Sequence, residues 1–407
     1  MNAPAPPRIA TLDILRGLAI LGILFMNIND MGQSILASSL DIRHLGWTAP
    51  DRVAWWLREL FVSGTARALL EMLFGAGMVI LTDRAAAAAG GWADENRLLR
   101  GYVRRNLILA GFGIVHVVLL LWPGDILHSY GLAVLVALLF RRLSPRWLLA
   151  VGLFAAVVQL ASAIPPPEPT TTTAATTQRD IPAEIAREDR DRAASLAGWA
   201  RASWRYSAEF QRSGAEIGVI WEAASVMLIG AALFRLGILQ GLRTRRFYLA
   251  TMLSGYAIGL PLRIVGALEI TRFDTAWQSR WATYEVARLA MTLGHVALIN
   301  VILGTAIGAR LLRPFAAAGR AALSIYIAQT LICLWLIFPP FALGLYAQLG
   351  WARLMMLALA IDAALLVLAL VYFRRFAIAP VEWAWRSLAQ GRALPWRRAP
   401  DATIPVL

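Results

Sequence analysis

An all-α bundle of about ten membrane-crossing helices is the fold class this sequence predicts. Three observations predict it. First, 59% of the residues are hydrophobic and the mean hydropathy is +0.60. A soluble chain carries about 45–50% apolar residues. Second, the excess lies in apolar runs of about 17–25 residues, the length that crosses a hydrocarbon core of roughly 30 Å. Such runs must be helical, because a backbone in lipid has to satisfy its own hydrogen bonds. Third, the cationic residues cluster between these runs, and ten runs place the clusters on one side.

The first span is expected at Leu12–Met31. Arg8 and Arg16 flank it and no small-residue cleavage pattern follows, so it is a retained span rather than a removed signal. Asp51–Ser63 is expected to lie in the interface, with Trp55, Trp56 and Phe61 suited to the headgroup zone. The second, third and fourth spans are Thr65–Leu81, Tyr102–Leu121 and Asp125–Phe140, the last two joined by the tight turn Trp122-Pro123-Gly124. Pro145 opens the fifth span, which ends near Ile164. Spans six to ten are Glu216–Leu239, Phe247–Leu268, Ala282–Leu311, Ala321–Phe338 and Ala352–Phe373. The loop Pro165–Gly214 begins with three prolines and a Thr-rich stretch, which predicts an extended or disordered linker. Its charged second part, Arg179–Arg212, predicts an amphipathic surface helix. The expected organisation is a membrane half at residues 1–163, the loop at 164–215, a second membrane half at 216–376 and a basic tail at 377–407.

The net charge is +14, and every one of the 39 basic residues is Arg. Basic balance raises the question of nucleic acid. Here the arginines sit at helix ends, so membrane topology accounts for them and no nucleic-acid partner is expected. With the N-terminus inside, Arg84–Arg105, Arg141–Arg146, Arg235–Arg246, Arg310–Arg320 and Arg374–Arg398 all fall on the cytoplasmic side of a bacterial inner membrane. The C-terminus is then inside as well, and membrane lipids are the surrounding partners. Without lysine, neither a Lys Schiff base nor a Walker-type phosphate lysine is available. Cys333 is the single cysteine, so no intrachain disulfide or cysteine-based metal site can form.

Ionisable residues inside spans are costly and mark function by default. Asp13 and Arg16 share one helix face at the start of span one. They form either an anchoring ion pair or a site for a cytosol-facing phosphate. Near the opposite side stand Asn27, His44, His116, Asp125 and His128. A histidine and a carboxylate on adjoining hairpin helices can form a base and its orienting partner, and the short turn predicts His116 near Asp125 or His128. Deeper groups are Glu71, Glu222, Arg263, Glu285 with Arg288, His295, Gln329 and Asp362, expected mostly to face a polar cavity and partly to bridge helices. Gly75 and Gly77 predict close helix packing. No metal-ligand pattern, Gly-rich phosphate loop or G-x-S-x-G elbow is present.

Several motifs recur in order along the chain. They are Arg8-Ile9-Ala10-Thr11-Leu12-Asp13-Ile14-Leu15-Arg16-Gly17, Ser63-Gly64 before Leu73-Phe74-Gly75-Ala76-Gly77, and Trp122-Pro123-Gly124-Asp125. Gly319-Arg320-Ala321-Ala322-Leu323-Ser324 and Pro380-Val381-Glu382-Trp383-Ala384-Trp385-Arg386 follow. This set resembles the YeiB-type family of integral membrane proteins (domain of unknown function 418). The first-span pattern L-D-x-x-R-G, matched by Asp13 and Arg16, also resembles the wider transmembrane acyltransferase superfamily. That resemblance implies transfer of an acyl group from cytosolic acyl-CoA to a small-molecule, lipid or sugar acceptor of the cell envelope. Asp13 and Arg16 would meet the donor. Asn27 stands where O-acyltransferases carry a histidine and where the N-acetyltransferase branch carries asparagine. His44-Leu45-Gly46-Trp47 resembles that branch's loop H-x-x-W. On this reading His116 or His44 is the base, Asp125 orients it, and Asn27 donates to the oxyanion. A transporter or lipid-handling protein without covalent chemistry is the alternative.

Overall fold

The computed structural model describes residues 10–88, 92–162, 180–273 and 279–397. Among them the single extended pairing is a bridge between Phe376 and Arg397. The N-terminal half comprises α1 (Ala10–Gly32), α2 (Ile35–Leu40), α3 (Ala49–Phe61), α4 (Thr65–Ala88), α5 (Trp92–Val118), α6 (Leu127–Leu138) and α7 (Pro145–Ser162). Next come α8 (Ile181–Ala194) and α9 (Leu196–Arg212). The C-terminal half comprises α10 (Ala215–Arg235), α11 (Arg245–Ile270), α12 (Trp281–Leu303), α13 (Ala306–Leu312), α14 (Phe315–Arg320), α15 (Ala322–Ile337), α16 (Trp351–Arg375) and α17 (Pro380–Gln390).

Six segments are long and apolar enough to cross a membrane: α1, α3 with α4 (Ala49–Arg84), α10, α11, α12 and α16. α6, α7 and α15 are shorter apolar helices, and the remaining expected crossing falls on the 27-residue α5. The protein is an all-α membrane bundle. We call the end where α1 begins and α16 finishes the basic end.

α6 has 12 residues, about 18 Å of helix, which is short for a span. The turn before it makes up the depth. Leu121 and Trp122 are buried, and the indole N–H groups of Trp204 on α9 and Trp335 on α15 donate to the carbonyls of Val118 and Leu120 at 3.0 and 3.2 Å. These bonds satisfy two carbonyls of the irregular backbone that no helix partner would take. The α5–α6 turn is thereby tied to α9 and α15, with Leu121 and Trp122 buried and Val118 and Leu119 exposed.

Two boundaries depart from expectation, at the eighth crossing and in the charged loop. The eighth crossing stops at Leu303, because the Thr305 hydroxyl accepts from the Gly308 amide at 3.0 Å and starts α13 as a separate helix. The ninth, expected at Ala321–Phe338, is α15, with the separate short helix α14 before it. The charged loop segment forms two helices rather than one surface helix, with Ser195 capping the second through the Gly198 amide. Both dock on the bundle: Glu188 accepts from the Ser34 hydroxyl at 2.6 Å, Arg192 is buried against Glu188, and Trp199 is fully buried in the main core. The expected Thr-rich linker, 170–177, lies outside the described residues.

Helices from the two halves interleave. α10 packs on α4, α6 and α7, and α1 packs on α14 and α16. The α4–α10 crossing depends on paired glycines. A methyl on Gly75 would stand 1.8 Å from the Met227 carbonyl oxygen, and one on Gly230 2.2 Å from that of Met72. Gly77 has no such neighbour; it faces a cavity.

Candidate functional site

The basic end encloses a cavity of about 490 Å³ between α1, α4, α5, α6, α15 and α17. Its inner walls are apolar, formed by side chains such as Ile20, Phe74, Leu109, Leu127 and Leu323, with the buried rings of Tyr130 and Tyr326 at its inner end. Its mouth is cationic: Arg16, Arg84, Arg105, Arg320 and Arg386 stand there against the carboxylates of Asp13 and Glu382. A second cavity of about 880 Å³ adjoins it. The two share Leu81, Arg84, Tyr102, Arg105 and Arg386. The second is lined by six arginines (Arg84, Arg97, Arg104, Arg105, Arg386 and Arg392) and by no carboxylate. Arg84, Arg97, Arg104, Arg105 and Arg392 make no salt bridge among the described residues.

Local structure explains how these side chains are held. Pro380 opens α17, where its missing N–H costs nothing. Glu382 then reaches across to the start of α15, accepting from the Leu323 amide at 2.7 Å and the Ser324 hydroxyl at 2.5 Å. Burial pushes the Glu382 carboxyl above the ordinary glutamate range, and its donors pull the other way. One turn on, the Trp385 indole donates to the Arg105 carbonyl at 2.8 Å, and the Arg105 guanidinium lies 4.2 Å over that ring. Arg104 donates to the Ala389 carbonyl. The Pro380–Arg386 motif thus forms the floor that ties α5 and α15 around the cavity mouth. Asp13 and Arg16 pair at 3.0 Å on the cavity wall, as their spacing predicts.

The residues expected on the opposite side separate into distinct places. His116 is fully buried, its Nδ1 lying 2.7 Å from Asp125 Oδ1 and its Nε2 2.9 Å from Thr330 Oγ1. Both ring nitrogens are thereby engaged. Its ring meets Tyr326 edge-on at 5.0 Å, directly behind the inner end of the cavity. Asp125 also accepts from the His128 amide at 2.9 Å, capping α6. The His128 side chain turns instead to Glu216 at the start of α10. His44 sits under α8, 2.7 Å from Asp189, which also accepts from the Tyr346 hydroxyl. Asn27 is half-buried on α1. No histidine lines either cavity.

The deep polar group mostly bridges helices. Arg288 on α12 meets Glu222 on α10 at 2.5 Å, Glu285 at 3.2 Å and Glu71 on α4 at 3.4 Å. Arg67 joins Glu222 at 2.6 Å, and Tyr130 donates to Glu71 at 2.9 Å. Arg263 meets Glu59, and His295 meets Tyr256 and the Phe61 carbonyl. None of Glu71, Glu222, Arg263, Glu285, Arg288, Gln329 and Asp362 lines either cavity, contrary to the expectation that most would. Glu71, Glu222, Glu285 and Arg288 pair with one another across helices, and among the described residues Asp362 meets only the Gln329 amide.

Sequence reasoning expected loop arginines near Arg16 to meet donor phosphates but did not say which, so Arg84, Arg105, Arg320 and Arg386 were not named for the site, and Glu382 was not singled out. The available signal was the alternation of acid, tryptophan and arginine within Glu382-Trp383-Ala384-Trp385-Arg386.

Comparison with known proteins gives a consistent picture. Residues 233–392 match the family described as "Protein of unknown function (DUF418)", a region that contributes Arg320, Glu382 and Arg386 to the cavity mouth. The chain is 29% identical to the uncharacterized protein YeiB of Escherichia coli (strain K12), over 95% of this chain and 98% of that protein. It is 27% identical to the uncharacterized protein YxaH of Bacillus subtilis (strain 168), over 93% and 94% respectively. An uncharacterized 39.9 kDa protein of Bacillus acidopullulyticus is 23% identical over 95% of each chain. This chain, a helical membrane bundle with a basic cavity lined in part by its C-terminal helix, thus matches the DUF418 family over residues 233–392 and is similar to YeiB over nearly its whole length.

Proposed function

We propose that the protein is a membrane-bound acyltransferase that admits an acyl-CoA at its basic end and passes the acyl group to a lipid or sugar acceptor of the cell envelope. One observation carries this reading: an apolar cavity reaching into the bundle adjoins a cavity lined by six arginines and shares five lining residues with it. An acyl-pantetheine arm fits the first by its apolar character, and the phosphates of a nucleotide fit the second by charge. The basic end then faces the cytoplasm of a bacterial inner membrane, with both termini inside. Behind the inner cavity wall, His116 is the base that serves the acceptor, Asp125 holds its Nδ1 hydrogen, and Asn27 faces the oxyanion from α1. For catalysis His116 Nε2 must exchange Thr330 for the acceptor hydroxyl or amine. His44 and His128 serve as bases only if His116 does not.

A second reading, lipid handling or transport without covalent chemistry, is favoured by the absence of any histidine from the cavity walls. One experiment separates the two. Purified protein in nanodiscs is given acyl-CoA, and both binding and release of free CoA thiol are followed. Binding with thiol release that is lost in His116→Gln supports the transferase. Binding of acyl-CoA or of an anionic lipid without thiol release supports handling, and no binding of either removes both readings.

A further inference from the structure

We propose that Asp362 is a proton-binding site in the middle of the membrane-crossing bundle. Asp362 lies at the centre of α16 and is 4% exposed. Its Oδ1 accepts from the Gln329 amide at 2.8 Å, and its Oδ2 has no partner. Gln329 is neutral, so it cannot balance a carboxylate.

Among the described residues, the elements packed on α16 bring no cation to Asp362. On α1, the neighbouring group is the Ile20 carbonyl, which accepts from the same Gln329 nitrogen at 3.3 Å. Farther along α1, Arg16 is paired with Asp13. On α3, Arg58 lies over Trp351 and is bonded to Glu59. On α14, Arg320 lies over Phe373. Trp351 and Phe373 are each about 16 Å along the helix from Asp362. The other titratable group facing Asp362 is Cys333 on α15, fully buried and not cationic. By contrast Glu59, Glu71, Glu222 and Glu285 each meet a guanidinium.

A carboxylate left ionised here, unpaired and in lipid-depth surroundings, is prohibitively costly. A metal cation needs about six oxygen ligands, and among the described residues no cluster of acidic, His or Cys side chains stands with Asp362 to supply them. A proton is the ligand that remains. Gln329 ties this carboxyl to Ile20, and Ile20 is part of the cavity wall. The π-wound segment Ile332–Ile337 begins three residues beyond Gln329 and gives α15 a local register that can change. Proton occupancy at Asp362 is therefore linked to the packing of α1, α15 and α16 beside the cavity. This inference is independent of the transferase reading.

The test uses the full chain, monodisperse and in nanodiscs at neutral pH, with a hydrophobic carbodiimide. That reagent adds across the O–H of a protonated carboxyl and rearranges to a stable N-acylurea, with nothing leaving. Peptide mapping is expected to find the adduct on Asp362, absent in Asp362→Asn, with Glu71 and Glu222 unmodified. The infrared spectrum with isotope-labelled aspartate is expected to contain a protonated carboxyl stretch that Asp362→Asn removes. Should Asp362→Asn not fold, the adduct map and spectrum of the unsubstituted protein decide. Absence of an Asp362 adduct together with a spectrum showing only ionised aspartates overturns the proposal.

Discussion

Arg105 is held in place before any ligand arrives. Its guanidinium rests on Trp385 and its carbonyl receives the same indole, so little side-chain freedom remains to be lost on binding. Charge-assisted contacts of this kind contribute about 1.5–3 kcal/mol. Arg105→Ala is expected to weaken acyl-CoA or polyphosphate binding by about 10- to 100-fold, measured by calorimetry on protein with unchanged melting behaviour. Equal affinity in that variant would remove Arg105 from the site. Arg16 tests a different possibility. If it meets phosphate, Arg16→Ala weakens binding whether or not Asp13 is present. If it serves only its pair, Asp13→Asn with Arg16→Gln restores the stability that either single change costs. Arg288 is the opposite case, because three carboxylates converge on it inside the bundle. Removing one partner of a buried charge pair costs about 3–5 kcal/mol. Arg288→Ala is therefore expected to lower the unfolding temperature sharply or to abolish monodisperse protein, while the surface pair change Arg142→Ala leaves both unaltered.

Elements are set by contacts of two kinds here. Apolar periodicity makes the helices, and a few small or polar residues decide where they stop and how closely they approach. Gly230 lets the α10 backbone reach Met72 on α4, and Gly75 returns the contact at Met227. Gly230→Val is expected to force the two helices apart, a cost of about 1–3 kcal/mol or more, seen as a lower melting temperature or aggregation in size-exclusion chromatography. Gly111→Ala meets nothing within 4 Å and is the control that stays folded. Thr305 and Ser195 act through capping: each ends a predicted continuous segment by offering its hydroxyl to an amide three residues on. Glu382 works between elements, fixing α17 to the start of α15 through the Leu323 amide and the Ser324 hydroxyl.

At the scale of the molecule, the arginines of α4, α5 and α17 and the cavities they line lie at one end. Fusion of alkaline phosphatase after Ser213, between α9 and α10, is expected to be active, and fusion after Arg246, at the start of α11, inactive. The reversed pattern would overturn the proposed orientation. The asymmetry also separates roles. The basic end holds the cavities, the far end is covered by α8 and α9, and the middle is crossed by the Arg288 network between α4, α6, α10 and α12.

The sequence by itself determined the class of fold, the number of crossings and most of their limits. Lipid removes the alternatives: a run of apolar residues long enough to cross can only be a helix. It also determined two local pairs, Asp13 with Arg16 and Glu285 with Arg288, because helical spacing alone brings them together. His116 with Asp125 was legible for the same local reason, a turn too short to part its helices. What only the tertiary structure decided was everything between distant segments. His116 meets Thr330, His44 meets Asp189 beneath α8, and His128 turns to Glu216, so three histidines expected near one face serve three separate contacts. The arginines of α4, α5 and α17 converge on one cavity although they are far apart in the chain. In sequence each signals only a helix end facing water, since a charge at that position satisfies the membrane rule whichever neighbour it meets. Which neighbour it meets depends on how the helices cross, and that is set by glycine contacts, caps and buried ion pairs acting across the whole bundle.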